Sequence, residues 1–133
     1  MGHRFTKQPI TSLPWSYDLV RGGGEVEEGA GLEWDDLMFE IDEGRVPNHQ
    51  FLGHAAPVQL DVWDSVRSDL AAADDGARLR QFETEPHRML LQIEAEPVAP
   101  SEIGDLGRLY VLIPEDDLLE RRFDRTIACV QSS

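Results

Sequence analysis

"RMLLQIEA" (residues 88–95) decides how the chain is read. Apolar residues alternate along it, with Met89, Leu91 and Ile93 pointing one way, the period of a strand with one buried face. "RLYVLI" (108–113) repeats the pattern after the Pro- and Gly-rich connection "PVAPSEIGDLG", so the two runs pair as a long-looped hairpin. Pro114 then opens a short helix, "PEDDLLERR", with acids in its first turn and arginines in its last. "RTIACVQ" (125–131) is a third strand. Strands interspersed with helices in this way predict an α+β fold, a small, mainly antiparallel sheet with helices packed on it.

Upstream, "LEWDDLMFEIDEG" (32–44) places Trp34, Leu37, Met38 and Ile41 on one helical stripe, ended by Gly44 and Pro47. "LDVWDSVRSDLAAAD" (60–74) predicts a second long helix, with Asp61 as its cap and Trp63, Val66 and Leu70 sharing a face. "DGARLRQFETEPH" (75–87) reads as a loop with room for a helical turn. "FTKQPITSLPWSYDLV" (5–20) reads as irregular or edge backbone, because Pro9 and Pro14 block central pairing. "RGGGEVEEGAG" (21–31) reads as a flexible loop.

A length of 133 residues predicts one domain, 1–133, that buries roughly 65–70% of its unfolded surface without a disulfide or metal. The net charge is −14, with 26 acids against 12 Lys and Arg. That field repels nucleic acid and anionic membrane and attracts basic proteins. No apolar run approaches a membrane span and the N-terminus lacks a signal peptide, so the cytoplasm is expected. Cys129, alone of its kind, cannot form a disulfide within the chain and sits in an apolar run, a buried small hydrophobe.

Catalytic signatures are missing. The glycine triplet at 22–24 lacks the order of a phosphate loop and is flanked by Glu25, Glu27 and Glu28. The stretch "NHQFLGHAAPVQ" (48–59) carries His49 and His54 five apart, whereas zinc on a helix asks for four, and Gly53 and Pro57 oppose a helix. Neither a metal nor another cofactor is expected, and His49 reads as a polar anchor bonded to a backbone carbonyl. There is no G-x-S-x-G elbow, and the carboxylate pairs Asp35–Asp36, Asp74–Asp75 and Asp116–Asp117 arise readily in so acidic a chain. In "GDLGRLY", Asp105 and Arg108 read as a turn with a paired arginine. The alternative lets Asp105, Arg108, Tyr110 and Gln92 line a ligand pocket beside His49 and Gln59.

"HQFLGHAAPVQ", "HRMLLQIEAE", "GDLGRLYVLI" and "DDLLERRFDRTIACVQ" occur in that order and together resemble the C-terminal part of the YwqG-like (DUF1963) family. "ITSLPWSYDL" matches an upstream L-P segment of the pattern. The resemblance implies a mixed α+β fold with a twisted sheet and no settled reaction. Some bacterial members sit in toxin–immunity neighbourhoods. This chain departs from the pattern at His54, where tyrosine is usual, and at Ala56, often acidic. It also resembles only half of the longer family proteins, which implies a covering partner, either a homodimer or a heteromer.

Two functions are therefore expected in competition. The leading one is a non-catalytic binder of a basic protein, an immunity-type inhibitor in its most concrete form. Its acidic segment from Glu25 to Glu43 holds nine acids and no base. Glu33, Asp35, Asp36 and Glu40 would steer the partner, with Trp34 or Trp15 as anchors. The rival is a small-molecule binder or small enzyme with a pocket near His49, Asp105, Arg108 and Tyr110.

Overall fold

The computed structural model describes residues 9–10, 12–27, 29–45, 48–95 and 107–132. Four strands form one open antiparallel sheet in sequence order: β1 (Gln50–Phe51), β2 (His87–Glu94), β3 (Arg108–Pro114) and β4 (Ile127–Gln131). Among the described residues five helices accompany it: α1 (Ser16–Arg21), α2 (Ala30–Glu43), α3 (Val62–Ala72), α4 (Gly76–Thr84) and α5 (Glu115–Glu120). The architecture is α+β, and β2 and β3 pair as the expected hairpin.

Several elements follow directly from local chemistry. The Asp61 carboxylate caps α3 by accepting the Trp63 N–H at 3.1 Å, and Val62, Trp63, Val66 and Leu70 are buried along one face. They meet Met89, Tyr110, Leu112 and Cys129 from the sheet in the main core. Pro114 ends β3 and caps α5, whose first turn is acidic.

Other elements correct the sequence reading. Residues 76–84 form a helix of 9 residues rather than a loop. Asp75 caps it through the Arg78 N–H, and Phe82, with the half-buried Leu79 three residues earlier, joins the core. Gly76 at its first position disguises a run of good helix formers. In the segment read as irregular, α1 begins directly after Pro14–Trp15, where the Asp18 carboxylate reaches back to the Trp15 N–H at 3.2 Å. Ala30 and Gly31, assigned to the glycine loop, form the first turn of α2. In α2 the buried positions are Met38 and Asp42, while Leu37 is exposed.

The most consequential correction lies in the opening stretch. Pairing of β2 with β3 runs in one register from His87 to Met89 and in another from Leu91 to Glu94. Leu90 is the extra residue of a β-bulge, and the Leu52 N–H takes its carbonyl at 3.1 Å. The bulge reverses the alternation. Met89 and Gln92 point into the core, at 1% and 0% exposure, while Leu91 and Ile93 turn to the other face. A period-2 reading cannot foresee this, because one inserted residue moves every later side chain across the sheet.

Deleting Leu90 should remove the bulge and leave the later side chains where they are, because Met89, Leu91 and Gln92 then face Leu112, Val111 and Tyr110 in one register with Gln92 still inward. We expect a loss of about 1–2 kcal/mol of stability, chiefly from the bond between the Leu52 N–H and the Leu90 carbonyl. Urea unfolding followed by circular dichroism checks this; a loss of about 4 kcal/mol or more, as expulsion of Gln92 would require, refutes the register.

Candidate functional site

Between β1 and α3 the chain runs from Leu52 to Asp61 without regular structure, yet Ala55 and Ala56 are buried at 3% and 7% exposure. Backbone without a strand or helix partner still carries a donor and an acceptor at each non-proline residue, and leaving them unpaired inside a core is costly. The core face of the sheet supplies the partners. Gln92 Oε1 accepts the Ala56 N–H at 2.9 Å, and its Nε2 donates to the Asn48 carbonyl at 3.0 Å. The Ala56 carbonyl takes the Tyr110 hydroxyl at 2.7 Å and Arg108 at 2.9 Å. Further along, Gln131 Oε1 accepts the N–H groups of Val58 and Gln59, at 2.9 and 3.3 Å. Its Nε2 donates to the Leu60 carbonyl and to Ser65 Oγ, at 2.7 and 2.8 Å. Cross-strand register makes this possible: Gln50, Gln92, Tyr110 and Cys129 form one row, and Glu94, Arg108 and Gln131 the next.

The turn entering the segment is equally constrained. Leu52 and Gly53 both have positive φ, 58° and 86°. A Cβ on Gly53 would collide with Ser12 Oγ and with the Gln50 amide. Gln50 Nε2 closes the turn on the Leu52 and His54 carbonyls, at 2.7 and 3.1 Å.

Beside this crossing segment lies a buried ionic cluster. Arg108 binds Asp42 Oδ2 at 2.7 Å and Glu94 Oε1 at 3.3 Å. Asn48 donates its side-chain amide to Asp42 and its backbone N–H to Glu94 Oε2, the latter at 2.6 Å. Burial pulls the Arg108 guanidinium downward, but Asp42, Tyr110 and Glu94 outweigh it and hold its pKa above the ordinary value. Asp42 thus ties the end of α2 to the sheet. It escaped the sequence reading as one acid among nine, although it follows Met38 by four residues on the buried stripe.

The expected ligand residues are therefore distributed as follows. Gln92, Arg108 and Tyr110 converge on Ala56, with their polar atoms directed at the chain's own backbone. His49 stands at the edge of the cluster, where its Nδ1 accepts the Glu94 N–H at 3.1 Å. Gln59 is exposed at the far end and donates to the Ser132 carbonyl. Asp105 lies outside the described residues. Sequence reasoning missed Asn48, Gln50 and Gln131; a glutamine on the apolar phase of β4 is the signal that could have found Gln131, while Asn48 and Gln50 carry no such mark.

A cleft of about 250 Å³ opens elsewhere, between α4, the start of β2 and the start of β4, lined among others by Arg78, Gln81, His87 and Arg125. Arg125 is committed there to Asp117 at 2.6 Å and to Glu85 at 3.2 Å. Among the described residues no group of three His, Cys, Asp or Glu could hold a metal ion. Cys129 is buried, and desolvation pushes its thiol up to about 12, which keeps it protonated at neutral pH. His54 is half-buried with Nδ1 3.5 Å from Asp18 Oδ2, so the family-atypical histidine faces α1.

On α2, Trp34 and Asp35 turn inward. The Trp34 indole N–H donates to the Pro14 carbonyl at 2.7 Å, and Asp35 accepts the Ser16 N–H at 2.8 Å. Glu33, Asp36, Glu40 and Glu43 remain exposed, flanked by Leu32 and Phe39 on one side and Leu37 on the other.

The family model described as a domain of unknown function (DUF1963) matches residues 3–131, and the chain belongs to that family. No curated protein and no solved structure matches it. No helix among the described residues is long and apolar enough to cross a membrane.

Replacing Gln92 by leucine should leave the Ala56 N–H and Asn48 carbonyl unpaired and cost about 2–4 kcal/mol, whereas Tyr110→Phe should cost about 1 kcal/mol. Chemical denaturation that ranks them the other way contradicts the pinning role. Burial also lowers the His49 pKa, with the Glu94 carboxylate opposing it. The unfolded chain then binds the extra proton first, so stability should fall as pH drops below the unfolded value of about 6.5 and level off below the folded one. His87, lowered chiefly by burial as well, acts in the same sense. His49→Gln should flatten part of that slope in melting temperatures measured between neutral and mildly acidic pH.

Proposed function

We propose that this DUF1963 chain is a non-catalytic protein-binding module that captures a basic protein on the outer face of α2. The observation that carries the reading is the composition of that face. Glu33, Asp36, Glu40 and Glu43 recur every three or four residues, no base occurs on the helix, and exposed Leu32, Leu37 and Phe39 border the stripe. Carboxylates at this spacing repel one another, a standing cost that a cationic partner would relieve. The rest of the charge, −14 in total, would steer a basic protein toward it. Bordering apolar side chains would supply contact area once the partner arrives. Trp34, committed to Pro14, serves the fold here, and Leu32 and Phe39 take over as anchors.

Catalysis receives less support. The polar groups nearest to a constellation, Gln92, Arg108 and Tyr110, bond the Ala56 backbone, and a reacting group would have to displace those bonds. An immunity-type inhibitor of a basic toxin in the bacterial cytoplasm is the most concrete form of the binding reading.

The double variant Asp36→Lys, Glu40→Lys tests it. Both positions are exposed, so the melting temperature should stay close to that of the parent. Capture of a basic protein at low salt should weaken by about tenfold or more in the variant, and for the parent it should weaken as salt rises. Equal capture by parent and variant, or capture indifferent to salt, would sink the proposal.

A further inference from the structure

The bulge at Leu90 has a second effect, on the face of the sheet away from the core. Cross-strand partners place Phe51, Leu91, Val111 and Ala128 in one row on that face, and Ile93, Leu109 and Val130 in the next. All seven are apolar, and none belongs to the core cluster. Phe51 is 74% exposed, Val130 is 47% exposed and Ala128 is exposed; the other four are half-buried. An antiparallel sheet with one face in water ordinarily carries polar residues on it. Here both faces carry apolar residues: Met89, Tyr110, Leu112 and Cys129 join the glutamines and Arg108 on the core face, while leucine, isoleucine and valine face out. A contiguous apolar face of this kind marks an interaction surface.

We propose that this face is the interface of a homodimer, formed by two copies of the chain packing sheet on sheet. Charge decides the occupant. A basic partner would find no carboxylate among the seven side chains and would lose hydration without compensation. An identical chain meets an uncharged surface here, whereas contact through α2 would set its carboxylates against their own copies. Geometry agrees, because two antiparallel sheets of equal twist pack face to face with their strands about 30° apart. A two-fold axis then presents the same patch from both sides and closes the assembly at two. The Arg88–Glu115 ion pair, 2.7 Å apart near the start of β2, gives the patch a polar rim.

The dimer and the α2 surface respond to salt in opposite directions, which keeps the two proposals separable. Sedimentation of the full chain across the micromolar range should show a monomer–dimer equilibrium that tightens with added salt, as repulsion between two chains of −14 is screened. Val130→Glu and Phe51→Ser alter exposed side chains and should keep the parent's circular dichroism while weakening dimerisation by about tenfold or more. The Asp36→Lys, Glu40→Lys variant should still dimerise. A monomer at every salt concentration overturns the proposal. So does a dimer that neither face variant weakens, or a mass that grows without stopping at two.

Discussion

A buried stretch of backbone that belongs to no strand or helix must find hydrogen bonds elsewhere, and much of this structure is arranged to provide them. Ala56 is the centre of the arrangement: its N–H and carbonyl are taken by three side chains from two strands. Gln131 repeats the device at Val58, Gln59 and Leu60. Each bond contributes modestly while it is made, but each lost partner exposes a large desolvation penalty. The network therefore acts mainly as a constraint: it defines one path for the crossing segment and makes other paths expensive.

The ionic cluster at Arg108 extends that constraint to α2. A guanidinium shared by two carboxylates is no stability gain in itself, because all three groups give up hydration. Its effect is positional. Asp42 and Asn48 bracket the chain leaving α2, and Glu94 fixes the entry to β1 through the Asn48 N–H. The acidic helix is thus anchored by an inward acid while four others face out, so its exposed stripe has a defined orientation relative to the sheet.

Strands β2 to β4 and helices α3 and α5 were legible because their signals are local: alternation, a capping aspartate, a proline at a helix start. Helices α1 and α4 lay hidden behind a local proline and glycine, and the other features that escaped have a cause distant in sequence. Nothing near Leu90 marks a bulge, since its reason is the demand for Gln92 at Ala56, 36 residues away. β1 was invisible because two residues carry no periodicity. The site was half legible: Gln92, Arg108 and Tyr110 were recognised as a set. Their common target was not, because an alanine backbone leaves no trace in composition. The family pattern at "NHQFLGHAAPVQ" becomes physically intelligible on the same grounds, since Gln50, Gly53 and Ala56 all answer to the path of the chain there.

The pinned segment also separates two stages of folding. Every strand pairs with its neighbour in sequence, so the sheet can assemble by successive additions, each closing a limited loop. Val58, by contrast, meets Gln131 across a separation of 73 residues. The crossing segment can meet β2 and β3 at Ala56, but its stretch from Val58 to Leu60 has no partner on the sheet until β4 is in place. On a ribosome it would wait, made early but settled last, with the final strand acting as the latch.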